Sequence, residues 1–248
     1  MTQMGDKMKN KITLIMFLTM TSALAYTEIK PSVVDSYREE IREILIQNHR
    51  GPKKWRHAKE FMFNKLFLEK DEKGYFLKDL YCNKIIRKSV GPTDMPDNLQ
   101  INAEHTWPQS KFPNRNSTTQ KSDLHHLFPT DSKTNSRRGN YPFTEVAENN
   151  LGLTACASSK MNYISEARVR GFEPPESHKG NVARALFYFA IRYNAKIPDY
   201  EELVLRLWHL TDPVDSEEQR RNDVIETFQG NRNIFVDNPN FSDLIEDF

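Results

Sequence analysis

A chain of 248 residues has room for one large domain or two small ones, and 38% hydrophobic content with a mean hydropathy of −0.72 describes a polar chain with a modest core. A formal net charge of +1 gives no evidence by itself for or against a nucleic-acid partner. The charge is uneven, however: basic residues dominate from Arg50 to Lys88, acidic ones between Asp199 and Glu226, and such asymmetry can give a near-neutral protein one basic face.

In chain order, Lys7, Lys9 and Lys11 precede the apolar run Ile12–Met20 and then Ala23-Leu24-Ala25. A basic start, a short apolar stretch and an A-x-A site predict a secretory signal peptide over residues 1–25, with the mature chain beginning at Tyr26. The apolar run falls short of the roughly 20 residues that span a bilayer, so no membrane association is expected after the leader is removed. Residues 26–248 are read as a single domain. Its two cysteines, Cys82 and Cys156, could form one disulfide in an oxidising compartment, although spacing does not establish that they approach.

Val33, Tyr37, Ile41, Ile44 and Leu45 recur at helical spacing over 32–48, before a Gly51-Pro52 stop. A second apolar stripe, with Trp55, Ala58, Phe61, Met62 and Leu66, is assigned to the core. Residues 75–86 alternate loosely as strand, and 91–97 form a loop. Leu99, Ile101 and Ala103 alternate with polar partners, predicting a strand that delivers Glu104 and His105 to its end. The run Leu124–Phe128 alternates again, with Leu124, His126 and Phe128 on one face and His125 and Leu127 on the other. Thr130 or Asp131 can cap a short helix from about Ser132 that carries Asn135, Arg137 and Arg138. Residues 149–176 lack periodicity. Val182, Leu186, Phe189, Ala190 and Tyr193 then mark a core helix, 200–210 another, and Ser216–Gln219 a capping box for a helix running to Gly230.

The stretch 102–143 concentrates the chemistry. A carboxylate beside an imidazole, followed by a carboxamide and guanidiniums, suits phosphodiester cleavage: His activates water, Glu and Asn offer hard oxygen ligands to Mg²⁺, and Arg neutralises phosphate charge. His105 is the candidate general base, and Glu104 and Asn135 are the candidate metal ligands. Adjacent strand residues face opposite sides, so His125 and His126 are expected to support the site, one by hydrogen bonding and one by packing, and not to share an ion.

Three runs carry a resemblance: Asn102–Ser110, with its Glu104-His105 pair, Ser122–Thr130, and Asn135–Phe143. In this order they are similar to the core of the bacterial endonuclease I family, and Gly180–Ala185, Arg220–Asp223 and Gln229–Asn233 continue the likeness. The resemblance implies an α+β fold, mostly helical, built around a central ββα-metal (His-Me finger) motif at about 99–143. It implies a secreted or periplasmic endonuclease with Mg²⁺ as cofactor, and Mn²⁺ or Ca²⁺ as substitutes. Hydrolysis with one metal and a histidine base would leave 5′-phosphate and 3′-hydroxyl ends on DNA, chiefly double-stranded, with RNA as a further substrate. Arg115 and Arg184 are expected to act at the phosphate, and Arg137, Arg138 and Lys111 to bind nucleic acid. A monomer is expected. Two other readings use the same residues: a DNA-binding matrix protein on a decayed nuclease scaffold, and a zinc hydrolase built on His105, His125 and His126.

Overall fold

The computed structural model describes residues 31–115, 117–148, 152–153, 155–165 and 168–248, with side chains from residue 37. The expected leader and the mature start at Tyr26 lie outside the described residues, as does the side chain of Val33. Helix α1 (Pro31–Ile46) buries Ile41 and Leu45, the positions its spacing predicts. Helix α2 (Trp55–Phe61) runs into a π turn at Met62–Leu66, and this segment buries Ala58, Met62, Phe63 and Leu66. Strands β1 (Glu69–Asp71), β2 (Gly74–Lys78) and β3 (Ile85–Ile86) then form a small antiparallel sheet.

The centre of the chain folds as strand, strand and helix. Strand β4 (Ile101–His105) pairs antiparallel with β5 (Leu127–Asp131), in a register that sets Glu104 opposite Phe128 and His105 opposite Leu127. Between them lies the short helix α3 (Thr118–Ser122), and after them helix α4 (Ser132–Arg138). The Asp131 carboxylate accepts the Thr134 amide at 2.9 Å, so Asp131 is the cap of α4. Two expectations need correction here. Leu99 lies outside the strand and is exposed. Residues 124–126 form a 3₁₀ turn rather than strand, and Leu124, both histidines, Leu127 and Phe128 are all buried, so no face alternates with solvent.

The aperiodic segment before residue 176 contains a hairpin that sequence patterning missed: β6 (Lys160–Ile164) pairs antiparallel with β7 (Val169–Glu173). Helix α5 (Glu176–Arg192) follows, then α6 (Asp199–Thr211), α7 (Ser216–Gln229) and the single turn α8 (Ile234–Asp237). Helix α5 is the axis of the fold. Its residues Val182 to Arg192 are buried without interruption, so the helix is enclosed on all sides rather than on the one stripe its spacing predicts. The cap of α7 is Asp215, whose carboxylate accepts the Glu218 amide at 2.8 Å, one residue earlier than the expected Ser216. The architecture is α+β. Among the described residues, no helix is long and apolar enough to cross a membrane.

A disulfide joins Cys82, after β2, to Cys156, before β6, and so ties the small amino-terminal sheet to the β6–β7 side of the molecule. Beneath β5, the polar run Gln229–Asn233 is structural. Gln229 bonds Asp123 and the Leu124 amide, and Asn231 donates to Tyr188 Oη and to the Leu45 carbonyl. Gly230 is left-handed at φ 90°, and a Cβ there would meet the Asn48 carbonyl at 2.2 Å. Asp123, wholly buried, also accepts bonds from Tyr188 and Tyr193 and lies 3.3 Å from Arg192. Burial alone would raise its carboxyl, but Arg192 and the neighbouring histidines hold it well below the usual range.

Three buried imidazoles set an acid limit on this fold. Burial pushes His125 and His178 down to about 3 and His126 to about 4, so all three are neutral in the folded protein. In the unfolded chain they would protonate near 6.5. The unfolded state therefore binds more protons between about pH 6.5 and pH 3–4, and stability must fall as pH falls through that window. Asp79, Glu104 and Glu201 are raised by burial and act in the opposite sense as pH falls toward the ordinary carboxylate range. Thermal melts from pH 7.5 down to pH 5 should show a falling Tm, with a shallower fall in His178→Asn. A Tm that is flat or rises over that range would contradict the burial argument.

Candidate active site

Glu104, next to last in β4, lies beside two donors. Tyr81 Oη and Arg138 Nη1 each bond Glu104 Oε1 at 2.8 Å, and the carboxylate is only 3% exposed. Burial raises its carboxyl, while Arg138 and Tyr81 pull it back down. With Oε1 taken twice, Oε2 is the oxygen left for a ligand in the cleft. Asn102 precedes Glu104 by two positions and so shares its strand face. Asn135, projecting from α4, donates Nδ2 to Asn102 Oδ1 at 2.7 Å, which fixes the amide and leaves Asn135 Oδ1 as a free acceptor. Glu104 and Asn135 thereby line one cleft of about 540 Å³.

His105 lines the same cleft. Its Nε2 lies 2.8 Å from the Lys121 carbonyl, which can only accept, so Nε2 carries the proton and Nδ1 presents the lone pair. Gln109 Nε2 lies 3.4 Å from that Nδ1. Burial, with His126 beside it, pushes His105 down to about 3. The ring is clamped between Trp55 at 5.0 Å, His126 at 5.3 Å and Phe112 at 5.9 Å. Trp55, assigned to the core from sequence, is half-buried and forms a wall of the histidine. The ammonium groups of Lys59 and Lys121 lie 5.8 and 5.5 Å from its ring centre.

The two adjacent histidines both hydrogen-bond and pack, so they do not divide into one bonding and one packing residue. His126 packs on His105 and bonds the Gln120 carbonyl at 2.7 Å, while His125 turns away to the Asn231 carbonyl at 3.0 Å and packs on Tyr188. The Nε2 atoms of His105, His125 and His126 thus meet three different carbonyls, and the zinc reading finds no support in this arrangement. Among the described residues, one group of three candidate ligands clusters, Asp79, Cys82 and Asp131. There Cys82 is in the disulfide, and Asp79 accepts the amides of Tyr81, Cys82 and Asp131.

The arginines separate. Arg138 is 1% exposed and donates to Glu104, to the His105 carbonyl at 3.1 Å and to the Thr106 carbonyl at 2.8 Å, with its guanidinium 4.2 Å from the Phe143 ring centre. It cannot reach nucleic acid and instead positions the end of β4. Arg184 is equally buried, in a two-bond pair with Glu218 at 2.8 and 2.6 Å, and also bonds the Asp212 carbonyl. A Cβ on Gly180 would lie 2.0 Å from that same carbonyl, so the Gly180–Arg184 motif is a packing device away from the cleft. Lys111 lines a separate pocket with Lys196 and Glu201. Arg115 and Arg137 are exposed and remain accessible to a polyanion.

The family description "Endonuclease I" matches residues 34–240, and the chain belongs to that family. Among its curated relatives are an extracellular ribonuclease of Bacillus subtilis (strain 168), 35% identical over 184 residues, covering 67% of this chain and 60% of the relative. An extracellular ribonuclease of Bacillus amyloliquefaciens is 36% identical over 162 residues, covering 58% and 53% respectively. An extracellular deoxyribonuclease of Aeromonas hydrophila is 28% identical over 118 residues, covering 46% and 48%. The chain therefore spans roughly half to three-fifths of the length of these relatives.

Glu104 and Arg138 form a pair withdrawn from water, and removing one partner strands the other. Arg138→Met should cost about 3–5 kcal/mol, read as a fall in unfolding free energy. The double variant Arg138→Met/Glu104→Gln should recover part of that loss. Equal stability of Arg138→Met and the unaltered protein would refute the positioning role.

Proposed function

We propose that this chain is a secreted or periplasmic, Mg²⁺-dependent endonuclease that hydrolyses phosphodiester bonds of DNA, and of RNA, without reading base sequence. The observation that carries this is the meeting of Glu104, His105 and Asn135 on one cleft, with His105 Nε2 tied to the Lys121 carbonyl so that Nδ1 carries the lone pair. Relatives named for action on RNA and on DNA support a site that depends on features common to both. The phosphodiester is that common feature, and contacts to it carry no sequence information.

The donor set fits a hard divalent cation: Glu104 Oε2 and Asn135 Oδ1 are both oxygens, and both are left over by the bonds that fix their side chains. Bound there, Mg²⁺, or Mn²⁺ or Ca²⁺ in its place, would supply positive charge for the phosphate and the departing O3′ while keeping several waters. The remaining work falls to the chain. His105 Nδ1 takes a proton from the water that attacks phosphorus, and the Lys121 carbonyl holds the opposite edge of the ring while charge develops on it. The new P–O bond forms as the P–O3′ bond breaks, giving a 5′-phosphate and a 3′-hydroxyl once O3′ is protonated. Arg115 and Arg137, both exposed, hold flanking phosphates. A single chain carries all of these residues, consistent with action as a monomer.

His105→Ala should lower the rate of plasmid nicking by about 10²–10⁴-fold while leaving DNA binding intact. EDTA should abolish nicking, and Mg²⁺, but not Zn²⁺, should restore it. Wild-type nicking by His105→Ala would overturn the assignment of the base, and undiminished nicking in EDTA would overturn the metal dependence.

A further inference from the structure

The cleft does not close at its far wall. A second groove of about 500 Å³ begins where it ends, and the two share Gly139 and Asn140 as a common floor. Gly139 sits at φ 57°, ψ −117°, a conformation that glycine adopts readily and other residues do not, and it turns the chain sharply off the end of α4. A Cβ there would meet nothing nearer than the Ser136 carbonyl at 3.8 Å, so the floor between the grooves is open. Asn140 bonds Ser110 at 3.3 Å across the cleft wall.

The lining of the second groove is cationic and aromatic. Arg137 lines one side, and Arg170, on strand β7, lines another. The Arg170 guanidinium lies 5.7 Å from the Tyr141 ring centre and donates to Tyr141 Oη at 3.3 Å. Arg170 is exposed and makes no ion pair among the described residues. Of all the residues lining the two grooves, Glu104 alone is acidic. Two guanidiniums and a half-buried tyrosine lining one groove that is continuous with the cleft match the makeup of single-strand binding channels: cations track the backbone and aromatic rings stack bases.

We infer that the second groove is a subsite for the strand beside the scissile phosphate, where Arg170, with Arg137, holds a neighbouring backbone phosphate and Tyr141 stacks a base. This rests on the nuclease reading above and adds the hairpin β6–β7 to the substrate-binding surface.

The test measures binding, in EDTA, of a labelled single strand of about 12 nucleotides and of a dinucleotide, across a series of salt concentrations. Arg170→Ala should weaken the longer strand about tenfold at low salt and reduce the slope of log affinity against log salt by about 0.7. Dinucleotide binding and Tm should not change, and cleavage in Mg²⁺ should show the loss in KM rather than in kcat. Tyr141→Phe should keep the affinity that Tyr141→Leu loses. Unchanged affinity and slope in Arg170→Ala would overturn the subsite, as would inorganic phosphate competing as well as the oligonucleotide. An unaltered protein that nicks DNA but ignores Arg170 rejects this inference alone. One that binds through Arg170 yet never cleaves rejects the nuclease reading and leaves the groove.

Discussion

The structure turns on a carboxylate taken out of water and held by a guanidinium. An isolated buried charge of this kind is costly. Arg138 offsets that cost and also grips the His105 and Thr106 carbonyls, so one side chain fixes both the carboxylate and the strand end that carries His105. Because Arg138 and Tyr81 converge on a single oxygen, the other stays available. A guanidinium forking across both oxygens would have neutralised the site it supports.

Behind this pair lies a second layer of buried polar chemistry. Asp123, with Tyr188, Tyr193 and Gln229, links helices α5 and α7 to the turn that carries His125 and His126. His126 in turn backs the ring of His105. The enclosed helix α5 supplies much of this layer, and the Gly180–Arg184 motif packs its first turns against the Asp212 backbone and Glu218. Rigidity at the cleft is thus inherited from the core: the base is held by its neighbours' packing as well as by its own bond to Lys121.

That Glu104, His105 and Asn135 would share one cleft was legible in the sequence, because the order of the motifs sets a strand end beside a capped short helix. The roles of the arginines were not. Whether a guanidinium meets solvent or a buried carboxylate depends on what packs over it, and Arg138 and Arg184 met Glu104 and Glu218, which lie 34 positions away in each case. The β6–β7 hairpin was hidden because its strands are only five residues each and burial follows no strict alternation along them. The turn at His125-His126 was read as strand because residue types alternate along Leu124–Phe128, although in the fold both sets are buried. Trp55 was read as core because apolar spacing cannot tell a ring packed on aliphatic side chains from one packed on an active-site imidazole.

Under the proposed function, Glu104 and Asn135 hold one hydrated cation beside His105. Diffraction from crystals soaked in Mn²⁺, recorded for its anomalous signal, tests it directly. The account predicts a single strong peak in the cleft, within roughly 2.5 Å of both Glu104 and Asn135 side-chain oxygens, lost in the Asn135→Ala variant. A peak at Asp79 and Asp131 with none in the cleft would contradict it.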